Sequence, residues 1–134
     1  MARILLIDDE QVVRNTVAEL LAIAGHAVVA ATDGGVGLGL LNAGGFDLVL
    51  TDIYMPHVEG METIQAIRRI DKTIPIIAMS GGPRDPMLSG VLAGFDQLAI
   101  AEIIGADATL RKPVTRAKLL PLIERCLGVG KSPA

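Results

Sequence analysis

Tryptophan is absent from this 134-residue sequence, tyrosine occurs once and phenylalanine twice. With aromatics at 2% and hydrophobic residues at 51%, any core must be filled by aliphatic side chains. Disorder is excluded by the same balance, because only 20% of residues are charged. The single cysteine, Cys126, rules out an internal disulfide; it lies in a helical pattern, reads as a small buried apolar residue and is assigned no chemistry. No apolar stretch reaches membrane-spanning length without a charge or a glycine interrupting it. The N-terminus enters a strand at once, without the positive start and long apolar run of an export signal. A soluble, cytoplasmic protein with no membrane partner is expected.

One-signed charge is lacking as well. The net charge is −3, but Arg3 and Arg14 face nine acids up to Ile67, while ten bases face six acids beyond it. The basic half has no Lys/Arg cluster interleaved with aromatics, so no nucleic acid partner is expected. The length suits one domain, taken as residues 1–127, followed by a Gly/Lys/Ser/Pro tail over 128–134 that is expected to be disordered. Met1 and the short tail favour a stand-alone protein over an excised piece.

What is present is a regular alternation. Four aliphatic runs, Arg3–Ile7, Ala27–Ala31, Phe46–Thr51 and Ile74–Met79, and a weaker fifth at Ala108–Arg111, are continuously apolar instead of alternating. Strands buried on both faces by crossover helices have this pattern. Helical patterns separate them. Val13, Val17, Leu20, Leu21 and Ala24 share one face of the first, with Gly25 placed for a left-handed cap. The second, Val36–Ala43, is diluted by glycine and reads as weak, with a flexible start. The third spans Met61–Ile70, the fourth Leu98–Ile104, and the fifth Arg116–Leu127 with Thr115 as N-cap and Pro121 set to delay or kink it. Strict alternation predicts an α/β doubly wound parallel sheet, whose ligands sit outside the carboxyl ends of the strands.

The reactive side chains collect at those ends. Strand one runs into Asp8, Asp9 and Glu10, strand three into Thr51 and Asp52, strand four into Ser80, and strand five into Lys112 and Pro113. Carboxylates gathered without compensation repel one another, and a hard divalent cation removes the conflict. Mg2+ prefers one or two carboxylates, water and phosphate oxygens, so it is the natural ion here. Lys112 adds a point charge and Ser80 a hydroxyl donor for an anion held at the same place. The constellation reads as phosphoryl transfer.

The order and spacing of Asp8-Asp9, Asp52-Ile53-Tyr54-Met55-Pro56-His57-Val58-Glu59-Gly60, Ser80-Gly81, Gly105-Ala106-Asp107 and Lys112-Pro113 resemble the response regulator receiver family of two-component signal transduction, in its single-domain form. The resemblance runs from the first strand to the last helix. It implies a flavodoxin-like, five-stranded sheet of order 2-1-3-4-5 with about five helices. It also implies that Asp52 is the phosphoacceptor, loaded by a histidine kinase, a phosphotransfer protein or a small phosphodonor. Asp9 and Asp52 would bind Mg2+ directly, Asp8 largely through water, and Tyr54 through its backbone carbonyl. Lys112 and Ser80 would contact the phosphoryl group, and the Lys112–Pro113 peptide would be cis. Such a domain is not an enzyme on external substrates: it catalyses only its own phosphorylation and dephosphorylation, then alters binding of an unidentified downstream protein or relays the phosphate.

Two departures stand out. Thr109 occupies the switch position where the family usually has an aromatic, and the segment from Ser80 to Lys112 is longer than usual. A shifted or extended fourth helix and a signalling route through loop backbone are therefore expected. Rival readings are weaker. An aspartate-nucleophile phosphohydrolase needs a second aspartate two residues after the nucleophile, where Tyr54 stands. A phosphorylation-independent binding module leaves the full acid, hydroxyl and lysine set without a use. Gly34, Gly35, Gly37 and Gly39 match no nucleotide-binding register. Tyr54 reads as a rim residue tuning access, while His57 and His26 read as loop and turn residues. The apolar residues from Val91 to Ile104 exceed one helix face, so core filling is the default and a partner patch the second reading.

Overall fold

The computed structural model describes residues 2–53, 59–80 and 105–128. Five strands, β1 (Arg3–Ile7), β2 (Ala27–Ala31), β3 (Leu48–Asp52), β4 (Ile76–Ser80) and β5 (Ala108–Arg111), form one parallel sheet in the order β2-β1-β3-β4-β5. Four helices are described: α1 (Gln11–Ile23), α2 (Gly34–Asn42), α3 (Glu59–Ile70) and α4 (Arg116–Leu127). The doubly wound α/β fold and its strand order are as expected. The helix expected at 98–104 lies outside the described residues, as do Tyr54, His57, the segment 81–104 and tail residues 129–134.

The continuous apolar runs follow from burial on two sides. Successive strand residues point to opposite faces. Leu5, Ile7, Val49, Ile76 and Ala78 pack with Leu41 of α2 and Ile64 and Ile67 of α3. Ile4, Leu6, Leu48, Leu50, Ile77 and Met79 pack with Val17 and Leu21 of α1 and Leu119 and Ile123 of α4. Every residue of β3 and β4 is buried, so neither face tolerates a polar alternation. Among the described residues no helix is long and apolar enough to cross a membrane.

Boundaries differ where side chains capture the backbone. β4 begins at Ile76, two residues later than its apolar run: the Asp71 carboxylate accepts from Thr73 and Ile74 N–H groups, and Pro75 has none to offer. β3 begins at Leu48 because Phe46 follows Gly44 and Gly45, both at positive φ, and lies under the Arg3 guanidinium at 4.4 Å. α1 closes as expected, with Gly25 at φ +91°. α4 starts on time at Arg116, capped by Thr115, and runs through Pro121. His26 is more than a turn residue, since its Nδ1 accepts the Ala2 N–H at 3.1 Å.

The glycine-rich helix is the main correction. α2 begins at Gly34, capped by the Asp33 carboxylate on the Val36 N–H at 2.9 Å. Gly34 and Gly37 are close-packing positions and not a loose start. A Cβ on Gly34 would collide with the Thr63 hydroxyl of α3, and one on Gly37 with the Ile7 side chain of β1, whereas one on Gly39 would meet nothing. The substitutions Gly37→Ala and Gly39→Ala should therefore have opposite signs in urea unfolding. The first is expected to cost about 1–3 kcal/mol by overpacking, and the second to add about 0.5–1 kcal/mol by restricting a helical glycine.

Candidate functional site

A parallel sheet brings all its carboxyl ends to one rim, so residues from four strands converge there. Asp8 follows β1, Asp52 closes β3, Ser80 closes β4, and Lys112 follows β5. Asp8 and Asp52 are wholly buried, Ser80 is 1% exposed, and Asp9 and Glu10 are open to solvent. Carboxylate oxygens of Asp8, Asp9, Glu10 and Asp52 all lie within 4.8 Å of one another. Among the described residues this is the group of acids able to hold a metal ion.

Lys112 is the counter-charge. Its Nζ is 2.9 Å from Asp52 Oδ2, 3.0 Å from Asp8 Oδ2 and 3.6 Å from Glu10 Oε1. Burial alone would lower the lysine pKa, but Asp52 and Asp8 outweigh it and push the ammonium above its ordinary value. Asp8 moves the other way from most carboxylates. Burial pushes its pKa up, only partly offset by the Glu10 N–H, which its Oδ1 accepts at 2.9 Å, and by Lys112.

Several local devices hold this arrangement. The Lys112 N–H donates to Ser80 O at 2.7 Å, tying the backbone of the lysine to that of the hydroxyl. The Lys112–Pro113 peptide is cis. Lys118 reaches back from α4 to the carbonyls of Arg111 and Pro113 at 3.4 and 3.3 Å. Arg14, on the first turn of α1, donates to Asp8 O at 2.8 Å. Its part in the site is not apparent from residue type, and only its spacing, six residues after Asp8, hints at it. Thr109 of β5 pairs in register with Ala78 of β4, two strand positions short of the rim pair Ser80 and Arg111. The predicted ligand Tyr54 lies outside the described residues.

The residues present fit a divalent cation. Among the described residues, four carboxylates against one ammonium leave a deficit of positive charge, and the fully buried Asp8 Oδ2 has no hydrogen-bond donor beyond its ion pair with Lys112. An oxygen-rich site of this kind suits a hard ion that also binds phosphate oxygens.

The family model for the response regulator receiver domain matches residues 4–124. Response regulator MprA of Mycolicibacterium vanbaalenii is 32% identical over 98% of this chain and 56% of its own length. The CAI-1 autoinducer sensor kinase/phosphatase CqsS of Vibrio cholerae is 36% identical over 88% of this chain and 16% of its own length. The chain thus spans about half of the first relative's length and a small part of the second's. Among solved structures, a response regulator receiver domain protein from Clostridium thermocellum superposes with a TM-score of 0.80 at 32% identity, covering 96% of this chain and 95% of that one. The chemotaxis protein CheY4 of Vibrio cholerae gives 0.79 at 28% identity, covering 94% and 98%.

The electrostatics predict a reversal of sign at Asp8. A carboxyl whose folded pKa lies above its unfolded value stabilises below the unfolded value, and that contribution is lost as pH rises through the folded one. Without divalent cations, Asp8→Asn is expected to gain stability over wild type as pH rises above about 4, the ordinary carboxyl value. With millimolar Mg2+ the ranking should invert, because only the wild type keeps the full carboxylate set. Thermal unfolding across pH with and without Mg2+ checks both halves; a variant that is less stable at pH 7 without the ion contradicts the reading.

Proposed function

This chain belongs to the response regulator receiver domain family, and from that premise we propose that it is a phosphorylation switch whose acceptor is Asp52. The observation that carries the assignment is the contact between a wholly buried carboxylate at the end of a central strand and the ammonium of Lys112 at 2.9 Å. Of the two buried acids in the cluster, Asp52 stands between β1 and β4 and next to the Ser80 strand, where all the other rim groups can reach it.

Asp8, Asp9 and Asp52, with the Tyr54 carbonyl, are the residues that would hold Mg2+. When bound, the ion neutralises charge on the carboxylates and on the incoming phosphoryl oxygens. Asp52 attacks the phosphorus of the donor with a carboxylate lone pair. A P–O bond forms, giving an acyl phosphate, while the bond to the leaving group breaks and its electron pair departs with that group. Lys112 exchanges its contact with the free carboxylate for one with a phosphoryl oxygen, and the Ser80 hydroxyl donates to another. Water attacking the same phosphorus later returns the carboxylate and inorganic phosphate. The domain turns over no external substrate in this scheme.

The donor is a sensor histidine kinase, a phosphotransfer protein or a small phosphodonor, in the cytoplasm. The output is altered binding to a downstream protein or onward relay of the phosphate. Thr109 cannot supply an aromatic rotation, so readout runs through backbone in the segment after Ser80, which lies outside the described residues. Incubation with acetyl phosphate and Mg2+ is expected to add one phosphoryl group, seen by intact-mass spectrometry, and Asp52→Asn should abolish the adduct. Turnover of acetyl phosphate without an adduct would favour a phosphohydrolase, and neither would favour a binding module that ignores phosphorylation.

A further inference from the structure

Lys112 owes its place to β5, and β5 is the shortest strand of the described sheet. It is four residues long, lies at an edge and pairs with β4 alone. Its apolar pattern does not settle its position. Ala108 and Leu110 face the core; a slip of one residue would turn them outward, but a slip of two would keep them inward and also keep a parallel ladder. Such a slip would move Lys112 by about 6.5 Å along the strand. Its contacts of 2.9 and 3.0 Å with Asp52 and Asp8 could not survive it.

The opposite end of β5 carries a device that forbids this. Arg68, near the end of α3, donates from Nε to Gly105 O at 2.9 Å, from Nη1 to Ile74 O at 2.7 Å and to Asp71 O at 3.4 Å, and from Nη2 to Asp107 Oδ2 at 2.6 Å. Asp107 Oδ2 also accepts the Ile76 N–H at 2.9 Å, and the Asp107 N–H donates to Ile76 O at 2.8 Å. One guanidinium thus joins the turn before β4 to the turn before β5, and one carboxylate locks residue 107 beside residue 76. Gly105 stands at φ +135°, and a Cβ there would meet Arg68 Cγ at 2.9 Å, so the turn is shaped around the arginine stem. A planar fork with several donors can hold three carbonyls and a carboxylate at once, and a lysine cannot.

Building on the acceptor role given above to Asp52, we propose that Arg68 and Asp107 are positioning residues for Lys112: they set the absolute register of β5 from the far rim and thereby place the ammonium against the phosphoryl site. Neither touches the reacting atoms. They lie five strand residues or more from Lys112, about 16 Å away.

The test uses Arg68→Met, which keeps the stem over Gly105 and removes the fork, and Asp107→Asn as the second variant should the first fail to fold. Lys112 acylation by acetic anhydride, read by peptide mass spectrometry against the exposed Lys72 and Lys118, is expected to rise in the variants. The rate of phosphorylation by acetyl phosphate at saturating Mg2+ is expected to fall about tenfold from the misplaced ammonium. That fall should vanish in a Lys112→Met background. An equal fall in both backgrounds, as a general loss of stability would give, overturns the proposal. So does unchanged Lys112 labelling, or raised labelling with an unchanged rate. The labelling arm needs no phosphoryl transfer, so it decides the clamp even where Asp52 accepts nothing, an outcome that would sink the acceptor reading by itself.

Discussion

One ammonium held among buried acids governs this structure. Lys112 sits within 3.0 Å of both Asp8 and Asp52, neither of which reaches solvent. Each would be costly to bury alone, and a buried pair is strongly destabilised when one partner is removed. The lysine therefore stabilises the fold before it is part of any chemistry. It is also insufficient, because Asp9 and Glu10 add charge that it does not neutralise. The fold carries a standing demand for further positive charge at this rim, which a divalent metal ion can meet.

Much of this was legible in the sequence for a simple reason. In a parallel sheet covered on both faces, strands are unbroken apolar runs, so the polar residues that end them are conspicuous and point to one rim. Asp8, Asp52, Ser80 and Lys112 are such residues, and the structure brings them together. Legibility failed where a side chain acts on backbone distant in sequence. Asp71 draws the chain into a turn that postpones β4, and Arg14 reaches the carbonyl of Asp8 from the helix that follows. The glycines of α2 looked like weakness because a missing side chain leaves no trace of what it makes room for. Thr63 and Ile7, which fill that room, lie 29 and 30 residues away in opposite directions, so no local pattern connects them.

The core and the site also differ in how they are specified. Packing on the two faces is set by many interchangeable aliphatic contacts, and the hydrophobic pattern suffices for it. The rim needs atoms placed to within tenths of an ångström, which an apolar pattern cannot supply, since a strand slipped by two residues still buries the same faces. Single directional bonds make up the difference: Lys112 N–H to Ser80 O, Arg14 to Asp8 O, and the Glu10 N–H to Asp8 Oδ1. None of these joins residues adjacent in the chain, and each ties the backbone of one rim element to a neighbour.

α3 spans from one set of such bonds to the other. It begins at Glu59, seven residues beyond Asp52, and at its far end presents Arg68 to the turns before β4 and β5. Twelve helical residues make a rod about 18 Å long, stiff because its apolar face is seated in the core through Ile64 and Ile67. Mechanically it is a lever: a tilt imposed at Glu59 would be delivered to the base of β5, and from there along that strand back to Lys112, which faces Asp52. Strain reaching α3 would thus have a hydrogen-bonded path to Lys112 other than the short gap across the rim.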